Sequence, residues 1–300
     1  MTCPASALAS LKPRERVLLC LKALIGPAAT GKTVFVECLS RVFSGGPGWS
    51  HATVTPTLQA LRAQGLLTED LTCTPELLHL LAVEAIDSAE GAAMVEAIRA
   101  KLPLDNPQVW DRKLIEDASL RSQRLAVLVN DEEEFQQAIN YRHRYSYSTA
   151  ALPSIFERHF AAVDVGVDWF ASRRPAFQVA ILAAKADRWV ATGVEAPGYP
   201  ALMDLCRRVP SLRAAHYQRL TNFELLAGRL GRLDETLADV PEGTPPDVAL
   251  AFRASRALLA GEPKTAVALF AEALKLYRKG ARKRKGGLPG FVGLLHVSAL

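Results

Sequence analysis

Residues 11–33, LKPRERVLLCLKALIGPAATGKT, decide the fold. Val17, Leu18, Leu21, Leu24 and Ile25 recur at the spacing that lines one side of an α-helix with apolar groups, and Gly26-Pro27 closes the pattern. The residues that follow, Gly26 to Thr33, match the spacing G-x-x-x-x-G-K-[ST] letter for letter. That spacing has its usual meaning only where a strand precedes it, a helix follows it and further strands alternate with helices in a parallel sheet. Residues 14–25 fit a helix better than a buried strand.

The chemistry of such a loop is definite. Backbone N–H groups surround phosphates, a lysine reaches the terminal ones and a hydroxyl binds magnesium, which assigns Gly26, Gly31, Lys32 and Thr33 to a nucleotide. The stretch LAVLVNDE at 125–132 supplies Asp131 as the magnesium-ordering acid of this alternative. Yet apart from 66–72 hardly any run between residues 45 and 120 is β-like. The acids 131–134 also have a simpler role in the first turn of a helix leading into Phe135 and Ile139, where the helix dipole favours them. Gly31-Lys32-Thr33 then starts the second helix of a helical domain, and Lys32 with the first-turn N–H groups suits a nucleic-acid phosphate.

Working outward, 33–43 reads as that second helix and the Gly/Pro-rich turn 44–48 closes it. Ser50 is an acceptable N-cap for a third helix carrying Val54, Leu58 and Leu61 on one face until Gly65, and LLTEDLT at 66–72 is extended like the first strand of a wing. Residues 50–67, SHATVTPTLQALRAQGLL, resemble the recognition helix and the turn into the wing of winged-helix regulators, including those of the multiple-antibiotic-resistance type. The resemblance implies a winged-helix domain over 1–90 that presents Ser50, His51, Thr53, Thr55, Thr57, Gln59 and Arg62 to DNA while Leu58 and Leu61 stay buried. Arg62 is the one cation on this helix, and no Asn or Arg near its start can make bidentate base contacts. Winged helices also dock proteins.

Composition sets the frame. The 300 residues are 49% hydrophobic, 22% charged and only 7% aromatic, which suits helix packed on helix and predicts a mainly α chain. No run reaches the roughly 18 apolar residues of a membrane span, and the first residues lack a secretory pattern, so the expected compartment is the cytoplasm with no membrane partner. Five cysteines, none in a C-x-x-C pair, exclude a disulfide framework or zinc knuckle, and no metal or cofactor is expected. The net charge of +5 comes from Arg278, Lys279, Arg282, Lys283, Arg284 and Lys285; without them the chain is within one charge of neutral. Of these, Arg282 to Lys285 form a Gly-flanked basic run suited to DNA or RNA phosphates, or to the end of a helix.

Beyond residue 75, helical patterns of short length alternate with Pro- or Gly-marked links, which predicts an α-helical hairpin array over 91–300. In residues 247–280, Leu250, Ala254, Gly261, Ala266, Phe270 and Ala273 resemble the tetratricopeptide repeat, with 177–186 and 220–237 as candidate degenerate copies. That hairpin, followed by RKRKGGLPG at 282–290, resembles the helical N-terminal region of bacterial Swi/Snf-type helicases. The end of the sequence, an amphipathic helix start without a polar tail, predicts a longer parent protein or an engineered fragment. The aromatic and basic run 141–147 suits base stacking or a helix end, 164–168 reads as a turn, and the six histidines are scattered. No catalytic constellation is found. The expectation is a non-catalytic nucleic-acid-binding and regulatory region that meets DNA, a protein partner or the rest of a longer chain. A phosphate-loop NTPase and a pure docking scaffold are the alternatives.

Overall fold

A computed structural model describes residues 8, 10–26, 31–43, 48–104, 111–145, 154–280, 287–288 and 290–300. The chain is mainly α-helical; among the described residues there is no strand, only one antiparallel bridge between Leu67 and Cys73. It divides into two compact units, residues 1–198 and 199–300.

In the first unit, α1 spans Pro13–Ile25, so the segment before the glycine-rich spacing is a helix. Pro13 pre-sets the first helical φ, and Glu15 accepts the Lys12 N–H at 2.8 Å. Leu18, Leu19, Leu21, Leu24 and Ile25 are buried, and Gly26, at φ 95°, ends the helix by donating to the Lys22 carbonyl at 3.1 Å. Next comes α2 (Lys32–Val42), which buries Phe35, Cys38 and Leu39. In α3 (His51–Ala63) Val54, Leu58 and Leu61 are buried, and the Ser50 N–H donates to Thr53 Oγ1 at 3.1 Å just before the first turn. The stretch expected as a wing strand is a tight hairpin. Thr68 N donates to the Thr72 carbonyl at 2.8 Å, the two threonine hydroxyls meet at 2.8 Å, and Leu71 takes the left-handed region at φ 56°.

Helices α4 (Pro75–Asp87) and α5 (Gly91–Lys101) close over this trio, and the shared core runs on to Leu125 and Leu128 of α6 (Arg112–Val129). The run 125–129 is therefore helical. Asp111 caps α6 by accepting from Lys113 N and Leu114 N, and Asp131 caps α7 (Glu132–Tyr145) by accepting from Glu134 N at 3.0 Å. The Ser119 hydroxyl donates to the Ala138 carbonyl at 2.8 Å and ties the two helices together.

Buried cations hold this unit together through carbonyls. Arg124, 1% exposed, donates to the Ala23, Leu24 and Leu78 carbonyls at 2.5, 3.2 and 3.0 Å, so it caps the C-terminus of α1 and ties α6 to α4. Burial lowers its pKa to about 10. Lys185, on α9 (Pro175–Thr192), is fully buried and donates to the Val163 and Pro197 carbonyls at 2.7 and 2.6 Å; burial lowers it to about 8. Between these cations, His79 meets Trp169 edge-on at 4.7 Å and His159 at 5.8 Å. His159 lies on a single π-turn, Phe156–Phe160, followed by α8 (Val167–Ala171), which carries Trp169. Of the stretch 164–168 expected as a turn, residues 167 and 168 already belong to α8, and Asp164 accepts the Gly166 N–H at 3.0 Å just before it.

The second unit contains α10 (Tyr199–Arg208), α11 (Pro210–Leu226), α12 (Leu230–Ala238), α13 (Pro246–Leu259), α14 (Pro263–Gly280) and α15 (Gly290–Ala299). Arg207 ion-pairs with the fully buried Glu224, joining α10 to α11, and Arg256 grips Asp234 through two contacts of 2.7 and 2.9 Å between α13 and α12. The hairpin α13–α14 packs closely because Ala254, Ala266 and Ala273 are small and fully buried around Phe270, and Gly261, at φ 79°, makes the turn. Of the stretches expected as repeat copies, 177–186 lies inside a single helix, while 220–237 spans the end of α11, a turn and α12.

Candidate nucleic-acid interface

The exposed side of α3 begins with its sequence. No acidic residue lies between Ser50 and Thr68, and burying Val54, Leu58 and Leu61 forces the polar side chains outward. Ser50, His51, Thr53, Gln59 and Arg62 are exposed; Thr55 and Thr57 are half-buried. The structure thus gathers these seven residues on one element. It also commits some of them. Thr53 Oγ1 accepts from Ser50 N and donates to the Ser50 carbonyl at 3.1 Å, while the Thr57 hydroxyl donates to the Thr53 carbonyl at 2.9 Å. His51, Gln59 and Arg62 have no hydrogen bond or ion pair among the described residues and keep their full donor capacity.

One contributor was missed in the sequence. Arg14 of α1 reaches across to donate to the Gly48 carbonyl at 3.3 Å and Thr53 Oγ1 at 3.4 Å, and its guanidinium lies 4.3 Å from the Trp49 ring centre. Trp49 leans on Phe43 at 6.0 Å. This clamp fixes the chain where it enters α3. Only the general pairing of Arg with Trp hinted at it, because 35 positions separate the two residues in the sequence.

Lys32 and Thr33 are exposed at the start of α2, and Arg41, near its end, is exposed without an acidic partner among the described residues. The hairpin tip is different: Glu69 and Asp70 are both exposed, so a phosphate approaching there is repelled.

The alternative nucleotide set is not assembled as strand, loop and helix. Gly26 caps α1 with its Cα hydrogen side toward the Arg124 guanidinium, Gly31 precedes α2, and Asp131 caps α7 with a carboxylate 3.9 Å from Arg99. Residues 27–30 of that loop, and the basic run Arg282, Lys283, Arg284 and Lys285, lie outside the described residues. In the 141–147 motif, Tyr141 is buried and packs on Tyr145 at 4.8 Å, as a helix end does; positions 146 and 147 lie outside the described residues.

A cleft of about 310 Å³ is lined by Arg99, Asp131, Glu133, Glu134 and Gln137. Its charges satisfy one another: Arg99 bonds Glu134 at 2.5 Å and Glu96 at 2.7 Å, and Asp131 caps α7. Among the described residues no three His, Cys, Asp or Glu side chains are placed to hold a metal ion, and no helix is long and apolar enough to cross a membrane. Comparison with protein-family models, with curated proteins and with solved structures returned no match.

Proposed function

We propose that this chain is a non-catalytic nucleic-acid-binding and regulatory region, with a winged-helix-like module over 1–90 that contains α1 to α4 and a tetratricopeptide-like array that contains α13 and α14. It serves a larger bacterial ATPase that acts on nucleic acid in the cytoplasm, as the resemblance of the hairpin and the 282–290 run to Swi/Snf-type helicases implies. The observation that carries the reading is the acid-free outer side of α3, where His51, Gln59 and Arg62 stand exposed and unpaired over a three-helix core. Lys32 at the start of α2 adds a cation beside first-turn N–H groups that favour an anion. The helix that precedes Gly26 speaks against a nucleotide loop, which needs a strand there.

The test is fluorescence anisotropy of a labelled 20-base-pair duplex titrated with the 300-residue chain at several salt concentrations. Two or three phosphate contacts predict a slope of log K against log salt of about −2 to −3, steeper if the 282–285 run also engages. Arg62→Glu should weaken binding by about fivefold to tenfold and make the slope shallower. Absence of salt-sensitive binding removes the nucleic-acid half of the proposal. Micromolar magnesium-ATP binding abolished by Lys32→Ala replaces it with the nucleotide alternative.

A further inference from the structure

Two buried histidines take no part in the α3 surface. His79 of α4 and His159 of the π-turn are 3% and 6% exposed, and their rings lie 5.8 Å apart. Neither ring nitrogen of His79, nor Nε2 of His159, makes a hydrogen bond among the described residues. Both rings meet aromatic neighbours instead: His79 sits 4.7 Å from Trp169 and 5.8 Å from Phe160, and His159 sits 4.8 Å from Phe160. A neutral imidazole packs there as a flat ring, whereas an imidazolium brings two donors and a charge into a site that supplies few acceptors. The charges around the pair are mostly of the wrong sign for it. Arg124 of α6 and Lys185 of α9 disfavour protonation of both rings, and His79 disfavours that of His159. On the other side stand the exposed Asp164 carboxylate and a backbone group of Val165, which favour the charged form of His79 but are outweighed by burial and the Arg124 charge.

The elements that carry this cluster are short. The π-turn and α8 have five residues each, too few to hold their shape without packing. Their ends are fixed elsewhere: Phe156 packs 5.4 Å from Phe135 of α7, and Arg173 donates to the Val127 and Leu128 carbonyls at 3.2 and 2.6 Å at the end of α6. Between those ends, Arg158 pairs with Glu116 near the surface, which holds little. We propose that His79, His159 and Trp169 form an acid-sensitive latch: protonation of either histidine releases residues 157–169 from α4, while Phe156 and Arg173 keep the segment tethered to α7 and α6. In the released state both rings meet water and titrate near their ordinary value of about 6.5, whereas the closed state refuses their protons. Opening therefore becomes easier as pH falls through that value, by about 25-fold per histidine between pH 7 and 5 and by about 600-fold for both.

Hydrogen exchange of the whole chain, followed by peptide mass and corrected for the intrinsic rate at each pH, tests the latch. Acid weakens the whole unit as well, so the decisive comparison is between segments at one pH. Protection of 157–169 should fall by about 25-fold to 600-fold from pH 7 to 5, and at pH 5 it should lie at least about tenfold below that of α1, which opens only with the whole unit. In His79→Phe/His159→Phe the fall should disappear. Circular dichroism reports whether the double variant folds; if it does not, His159→Phe alone is read, where the fall should shrink by about 25-fold. Protection that stays level from pH 7 to 5 overturns the proposal. So does equal protection of α1 and 157–169 at pH 5, which means that the segment opens only by unfolding of the unit, or a fall of full size in the histidine variants.

Discussion

Replacing Arg124 tests how the first unit is held together. Its guanidinium supplies donors to the Ala23 and Leu24 carbonyls, two of the last carbonyls of α1, which have no further turn of helix to bond with. Arg124→Ala strands both in a buried site, at about 1–3 kcal/mol each, and opens a cavity where the stem packed. Relief of the desolvated charge offsets part of this, leaving a net loss of about 3–5 kcal/mol. Arg124→Met keeps the apolar stem and loses only the donors, so it should cost about 2–3 kcal/mol, and the gap between the variants measures the packing. All four tryptophans (Trp49, Trp110, Trp169 and Trp189) lie in residues 1–198, so urea unfolding followed by tryptophan emission reports on the unit that contains Arg124. An unfolding free energy for Arg124→Met within about 0.5 kcal/mol of the parent chain would refute the capping role.

Acid should weaken the same unit. Burial first and the Arg124 charge second hold His79 down to about 3, and the same two causes hold His159 well below its ordinary value. The unfolded chain therefore binds protons below about pH 6.5 that the folded chain refuses; stability is full above that pH and falls by up to about 1.4 kcal/mol per pH unit per histidine on acidification. A midpoint that stays level between pH 7 and 5, or that falls as steeply in His79→Phe, contradicts this. Gly91→Ala should destabilise by about 1–3 kcal/mol although alanine favours helix, since its Cβ would stand 2.4 Å from the Ile86 carbonyl. Gly231→Ala, also helical but with no atom near the new methyl, should instead add about 0.5–1 kcal/mol, and thermal melts of the two should move in opposite directions.

Much of the helical order was legible because local physics writes it locally. Val17 to Ile25 carry the 3.6-residue period, and Pro13, Gly26, Ser50 and Gly65 punctuate it, so the first and third helices fall where the pattern places them. The acids of 131–134 likewise announce the start of α7. What local pattern does not contain is pairing across distance. A strand needs a partner, and 66–72 has one only at Leu67–Cys73, so an extended-looking stretch closes into a hairpin. Nothing in the local pattern marks Arg124, Lys22 and Lys185 for burial. They are buried because carbonyls or an aromatic ring await them: Arg124 meets α1 across 100 positions, and Lys22 lies 4.5 Å from the Phe35 ring.

The candidate site shows the same division, and it changes which residues matter. The sequence put seven polar residues on α3 with equal standing, because side-chain chemistry is all that spacing reveals. Folding ranks them. Thr53 and Thr57 spend their hydroxyls on the helix's own first turns, and Arg14, not named by the sequence pattern, ties α1 to the start of α3. Under the proposed function, contact with a duplex then falls to His51, Gln59 and Arg62, with Lys32 and Arg41 as exposed cations on the preceding helix. If that ranking holds, Thr57→Ala should leave duplex affinity within about twofold while Arg62→Glu lowers it several-fold. Equal losses from both would return Thr57 to the interface and show that its bond to the Thr53 carbonyl yields when nucleic acid arrives.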